Sequence, residues 1–313
     1  GETSASVMTG IASAVGKSLQ GFLVTYEEKL DAMRGFSGLK PIRVWKLSFP
    51  ALWMFKLVAR ELNHSMKIGK RIVQTEDIFE SNLPPYLRLF HELDLSPASP
   101  FKFEYDSGPS NCNDSRMDLL YETSYKCIKH ALNINIPLYI LSYDLEVYSG
   151  SGMFPVATNP SDEIIQIGMS FRWSDDLMTP VERYVLVSGS CIPSEDPSVT
   201  YISCENEQQL LLKFESLIKT ENPDSIVGYN TFGFDDSYIA DRAERHNLSL
   251  SFGRIVQKSW GTRKEDKVKT ERKTFELASG KFAVRYIEMP GRMTIDLLLS
   301  IRREQNLDSY KLD

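Results

Sequence analysis

A dense apolar run, Leu138-Tyr139-Ile140-Leu141-Ser142-Tyr143, followed at once by Asp144-Leu145-Glu146-Val147, restricts this chain more than any other stretch. A run so short and so apolar fits a central strand covered on both faces. Carrying the strand's alternation forward puts Asp144 and Glu146 on one side, about 7 Å apart at Cα. Tyr143, Leu145 and Val147 then fall on the other side, in the core. Two carboxylates side by side at a strand end repel each other unless a cation lies between them, and such hard oxygen donors suit Mg²⁺ or Mn²⁺. Asp-x-Glu alone is a short pattern that solvent-facing strand ends also carry, so its weight comes from the strand before it.

Around this run the chain alternates strands and helices. Ser149 to Asp162 is a loop rich in Gly, Pro, Asn and Ser, and Ile164 to Trp173 and Arg183 to Val187 read as strands. Asn206 caps a predicted helix over Glu207 to Thr220, with Leu210, Leu211, Phe214, Leu217 and Ile218 on one face. A short strand from Ser225 to Tyr229 and a helix from Asp235 to His246 follow. Three strands, a helix, a strand and a helix predict a mixed α/β domain, with its boundary near Asn135.

Upstream, Pro41 to Phe49 alternates as a half-buried strand. Ala51 to Leu62 and Pro85 to Leu93 read as helices, the second with Leu87, Leu89, Phe90 and Leu93 inside. The expected division is an N-terminal extension over 1–35, a smaller α+β domain over 36–135 and the α/β domain over 136–313.

Composition limits the function classes. At 42% apolar and 25% charged, the chain has the ordinary mix of a globular protein with a full core. A net charge of −6 argues against a surface coated in basic residues, yet it leaves room for a local groove and fits a site rich in carboxylates. Cys112, Cys127, Cys191 and Cys204 form no CxxC pair and read as reduced thiols of an intracellular protein. His64, His91, His130 and His246 have no metal-ligand spacing. Lys17 and Gln20 interrupt the apolar start, which is too short to span a bilayer, so no membrane role is expected. Gly10 to Ser18 imitates a phosphate-binding loop, but it has five residues between its glycines instead of four and no strand before it.

The second informative stretch is Ile226-Val-Gly228-Tyr-Asn230-Thr-Phe-Gly-Phe234-Asp235, a strand running into a tight turn with an acid opening the next helix. By itself Asp235 suits a helix N-terminus, and Asn230 suits a turn. Taken together, the two stretches carry a resemblance. Ser142-Tyr-Asp144-Leu-Glu146 is similar to the first exonuclease motif of family B DNA polymerases, and Gly228 to Asp235 is similar to the second. Glu163 to Gly168 resembles the family's second exonuclease strand. Gly291 to Leu297 with Leu307 to Leu312 resembles the segment leading to its third motif, and Ile78 to His91 resembles its N-terminal domain. Delta-type and large DNA-virus polymerases are the nearest in pattern.

The resemblance implies a ribonuclease H-like 3′–5′ proofreading exonuclease using two Mg²⁺ or Mn²⁺ ions. Asp144 would bridge both ions, Glu146 would bind the one holding the attacking water, and Asp235 would complete the site. Asn230 and Phe234 would contact the terminal nucleotides of a frayed 3′ end by hydrogen bonding and stacking. The implied partners are primer-template DNA and a single-stranded 3′ end, with a sliding clamp or other replication subunits engaged through other segments. The implied location is a nucleus or a viral replication compartment. The basic run Thr262 to Lys273, with Arg263, Lys264, Lys267 and Lys269, is either a solvated loop or a β-hairpin guiding the primer strand. Trp260 at its base is expected in the core. Asp296 is expected to be structural, as a helix cap.

The family's third exonuclease motif, a tyrosine four residues before an aspartate, and its polymerase motifs are expected beyond Asp313. Tyr310 precedes Asp313 by three. A chain ending there is expected to hydrolyse DNA poorly. The alternatives are a catalytically silent module gripping single-stranded DNA or a replication partner, and a free-standing exonuclease of the same fold. Intact Asp144, Glu146 and Asp235 favour an enzyme, and the residues upstream of the α/β domain favour a polymerase.

Overall fold

The computed structural model describes residues 3–16, 20–30, 41–64, 66–68, 71–110, 119–131, 134–255, 268–277 and 280–312. The chain folds as two compact units, residues 1–97 and 98–313.

In the first unit, α1 (Ser4–Val15) is opened by a reciprocal cap between Thr3 and Ser6 and closed by Gly16 at φ 65°. Gly10 lies inside this helix and Gly16 at its end, while Lys17 and Ser18 of the phosphate-loop imitation lie outside the described residues. Strands β1 (Leu23–Leu30) and β2 (Pro41–Ser48) pair antiparallel, and α2 (Leu52–Leu62), β3 (Met66–Ile68), β4 (Arg71–Val73) and α3 (Pro85–Glu92) follow. Val7 and Ile11 of α1 share one core with Phe22, Val24, Met54, Val58, Leu62 and Ile68. The helix thus packs with the elements that come after it. The expected interior of α3 is corrected: no residue of that helix is buried, and Leu87 is exposed. Eight residues with several apolar positions give a stripe by spacing alone, whereas burial needs a facing surface.

The second unit begins with β5 (Phe101–Phe103), β6 (Ser107–Ser110), β7 (Leu120–Glu122) and β8 (Ile128–His130), paired as β5 with β8 and β6 with β7. Then come β9 (Tyr139–Val147), β10 (Ile164–Trp173), β11 (Glu182–Ser188), β12 (Thr200–Cys204), α4 (Glu207–Glu221), β13 (Ser225–Gly228) and α5 (Asp235–Arg245). The hairpin β14 (Thr270–Leu277) and β15 (Gly280–Ile287), then β16 (Met293–Asp296) and α6 (Leu297–Glu304), complete it.

One mixed sheet, ordered β12-β11-β10-β9-β13-β16, organises the unit. Strand β9 runs antiparallel to β10 and parallel to β13, in the interior of the sheet where its apolar sequence belongs. Leu141, Ile167, Phe171 and Leu186 of the sheet pack with Leu210, Phe214 and Ile218 of α4 and Ile239 and Ala243 of α5. This is the mixed α/β architecture the alternation predicts, extended by two sheet strands that the sequence reading leaves out, β12 and β16. The last residues of the basic run, Thr270 to Lys273, belong to the hairpin of β14 and β15. Arg263, Lys264, Lys267 and Trp260 lie outside the described residues. No helix among the described residues is long and apolar enough to cross a membrane.

Candidate active site

Strand β9 alternates as its sequence demands. Tyr143 and Leu145 are buried in the core, while Ser142, Asp144 and Glu146 face out. Gly168 pairs across the ladder from Asp144, and a Cβ built there would meet nothing within 4 Å. The space beside the Asp144 carboxylate is therefore open.

Asp235 arrives from another element. It is the first residue of α5, directly after the N-cap position held by Phe234. Only 3% of it is exposed, and its Oδ1 atom has no hydrogen-bond partner. Burial first, and the nearby Asp144 charge second, push its carboxyl up from 3.8 to about 7, although the Leu145 N–H acts in the opposite direction. Its neighbour Asp236 is satisfied: Oδ2 accepts from Ile287 N at 2.9 Å, and Oδ1 accepts from the Tyr143 hydroxyl. Asp236 is nonetheless raised to about 6 by burial.

The turn between β13 and α5 is fixed by sterics and by one distant acid. A Cβ on Gly228 would lie 2.1 Å from Thr231 Cγ2, and one on Gly233 would lie 2.3 Å from Asn230 Oδ1, so a side chain at either position would displace the turn's own side chains. Asn230 takes φ 61°, a left-handed conformation that asparagine tolerates. Its carbonyl accepts from Gly233 N and Phe234 N, both at 3.0 Å. Asp296 Oδ1 accepts from Asn230 N at 3.0 Å and from Leu298 N at 2.9 Å, and Oδ2 accepts from Phe232 N at 3.0 Å. As expected, Asp296 is structural: it caps α6 and also holds the Asn230 turn in place.

These pieces surround a cleft of about 620 Å³ lined by Asp144, Tyr229, Asn230, Phe234, Asp235, Arg302 and Tyr310, among others. The Tyr229 hydroxyl donates to the Tyr310 carbonyl. Phe234 meets Tyr238 at 5.2 Å and the exposed Phe154 at 5.4 Å between ring centroids. Of the sequence candidates, Asp144, Asp235, Asn230 and Phe234 converge here. Glu146 follows Asp144 on the same face of β9 but does not line the cleft, and Lys269 lies just ahead of the hairpin, also outside the lining.

A second cluster went unread in the sequence. Glu207 and Arg242 form an ion pair with both side chains 1% exposed, and Glu207 also accepts from Ile164 N at 2.8 Å. His246 Nε2 lies 2.6 Å from Glu207 Oε2, while Arg242 Nη1 donates to the carbonyls of Ala157 and Asn159. Arg242 thereby ties α5 to the loop that carries Phe154. The only signal was the presence of Arg242 amid the buried positions of α5, and a three-residue helical face does not distinguish that from a solvated arginine.

The donor set suits a divalent cation: hard carboxylate oxygens, one of them buried and without a partner. Among the described residues no group of three or more His, Cys, Asp or Glu is arranged to hold a metal, and Glu146 is not among the residues lining the cleft. The pair Asp144 and Asp235 fits part of such a site.

Residues 76–313 match the model of the family B DNA polymerase exonuclease domain. The chain is 29% identical over 270 residues to the DNA polymerase of Paramecium bursaria Chlorella virus NY2A, covering 83% of this chain and 28% of that protein. It is 28% identical over 246 residues to the DNA polymerase delta catalytic subunit of Schizosaccharomyces pombe, covering 75% and 21%. The chain thus spans under a third of either relative. The structure of the family B DNA polymerase from the archaeon Pyrobaculum calidifontis superposes with a TM-score of 0.58 at 16% identity, over 95% of this chain and 30% of that one, a likeness of fold. With the family model covering most of its length, the chain belongs to the family B DNA polymerases, whose exonuclease domain it carries.

Proposed function

We propose that this chain supplies the 3′–5′ proofreading exonuclease of a DNA-directed DNA polymerase that acts in replication. The observation that carries the reading is the cleft in which Asp144 and Asp235 meet Asn230 and Phe234, with one Asp235 oxygen buried and without a partner. Asp144 and Asp235 would hold Mg²⁺ or Mn²⁺, joined by Glu146 from the same face of β9. Two divalent ions, when bound, lower the pKa of water and stabilise charge on the leaving 3′ oxygen. The chain's own residues then position the substrate. Phe234 offers a ring face to a terminal base, and Asn230, fixed by Asp296, offers its amide to the nucleotide. A paired terminus cannot present its last bases this way, so a frayed one is selected. The substrate is primer-template DNA with a single-stranded 3′ end. Any clamp or accessory subunit would bind through other segments, in a nucleus or a viral replication compartment.

One observation favours the alternative, a silent single-stranded DNA module: no three-acid group is assembled among the described residues. One variant separates the two readings. In the full polymerase, Asp144→Ala with Glu146→Ala should lower Mg²⁺-dependent removal of mismatched 3′ ends by orders of magnitude while sparing polymerisation. Primer trimming at the wild-type rate by that variant would sink the exonuclease assignment.

A further inference from the structure

Arg302, on the second turn of α6, lines the same cleft as Asp144 and Asp235. Its guanidinium carbon lies 4.6 Å from the Phe282 ring centroid and 5.0 Å from that of Tyr310, so the group is held against two aromatic rings. Its Nε is buried without a hydrogen-bond partner, and no carboxylate pairs with it among the described residues. Three other arginines of this unit behave differently. Arg242 uses its fork on Glu207 and two carbonyls, Arg285 pairs with Asp241 at 2.6 Å, and the adjacent Arg303 reaches Glu304 at 3.4 Å.

A guanidinium fixed by stacking while its N–H edge stays unsatisfied is pre-organised for an anion from outside. The cleft also creates the need for one. A phosphodiester brought beside Asp144 and Asp235 meets carboxylate repulsion, and a fixed cation on the cleft wall offsets it. We propose that Arg302, braced by Phe282 and Tyr310, is a phosphate-binding residue for the backbone of the single-stranded 3′ end. The planar fork matches two phosphate oxygens, and the rings lower the entropy lost on binding. This proposal rests on the exonuclease reading above, and Arg302 acts in it as a positioning residue.

The test uses the full polymerase and oligo(dT), with binding read by anisotropy in Ca²⁺ and trimming read in Mg²⁺. Arg302→Gln should raise KM for the single strand about tenfold with a smaller change in kcat, as expected when one charged hydrogen-bonding group is removed. It should also flatten the slope of log affinity against log salt by about 0.7, the value of one phosphate contact on a single strand. Arg302→Lys should keep the slope while losing part of the affinity. A methylphosphonate scan of the terminal linkages should reveal one whose neutralisation weakens wild-type binding but leaves Arg302→Gln indifferent. That scan on the wild-type protein decides even where Arg302→Gln fails to fold, since no sensitive linkage overturns the inference. Wild-type KM and salt slope in a folded Arg302→Gln protein, beside an inactive Asp144→Ala/Glu146→Ala protein, overturn it and leave the exonuclease reading standing. An active double variant removes the exonuclease reading, and the scan still decides Arg302.

Discussion

Replacing Asp235 by asparagine should make the metal-free protein more stable at neutral pH while abolishing the activity proposed for it. The carboxyl sits 3% exposed with one oxygen unpartnered, and burial together with Asp144 raises it from 3.8 to about 7. A folded-state value above the unfolded one means that between about pH 4 and pH 7 the folded protein holds a proton the unfolded chain has released. Stability from this group therefore falls as pH rises through that window and levels off above it. A shift of about three units at about 1.4 kcal/mol each amounts to about 4 kcal/mol at pH 8, as an upper figure. The amide introduced by Asp235→Asn carries no charge, so the variant's advantage should be near zero at pH 4 and approach that figure at pH 8. Asp236, itself raised to about 6 by burial, titrates in the same direction in both proteins. Urea unfolding at the two pH values in EDTA measures the difference. Adding Mg²⁺ should shrink it, because the cation stabilises only the protein that keeps the carboxylate. A variant no more stable than wild type at pH 8 in EDTA, or equally favoured at both pH values, refutes the reasoning.

Two further outcomes follow from the scaffold. Asp296→Ala removes the acceptor for Asn230 N, Phe232 N and Leu298 N, and should destabilise the protein by about 3 kcal/mol in denaturant unfolding. Asp296→Asn should lose less, since its amide oxygen still serves one side. Glu207→Ala leaves the buried Arg242 without its counter-ion and should cost about 3–5 kcal/mol in the same measurement, with Arg242→Leu recovering part of the loss in the double variant.

What the sequence made legible was local. Strand β9 carries its own apolar run and alternation, and α4 carries its cap and stripe, so both appear nearly where expected. Strand β16 has four residues and exists because Ser225 to Gly228 pairs with Met293 to Asp296, 68 positions away. Such pairing leaves no periodic trace. Glu207, Arg242 and His246 are separated by 35 and 39 positions, and Glu207 alone looks like an ordinary first-turn acid favoured by the helix dipole. Asp296 was readable as a cap but not as the anchor of a turn 66 residues earlier. From sequence Asp235 reads equally as a cap or a ligand, and what local pattern could not supply is its burial as the first residue of α5 with Oδ1 unpartnered.

The distribution of satisfied and unsatisfied groups supports the same proposed site without reference to any motif. Buried acids elsewhere in this unit are fully engaged. Asp162 accepts from Gly150 N and Val156 N, Asp236 from Tyr143 and Ile287, and Glu207 from Ile164 N and Arg242. Among the described residues only four buried side-chain nitrogen or oxygen atoms lack a partner: Arg183 Nε, Ser225 Oγ, Asp235 Oδ1 and Arg302 Nε. Two of the four belong to residues lining the cleft that also holds Asp144. Leaving a buried charged group unsatisfied costs more than a typical hydrogen bond returns, so a fold tolerates it where something outside the chain completes the bond. The two orphans have opposite charge, which calls for two different visitors: a cation at Asp235 and an anion at Arg302. A phosphodiester accompanied by divalent metal brings both at once, whereas a lone metal ion or a free nucleic-acid strand would leave one of the two groups unmet.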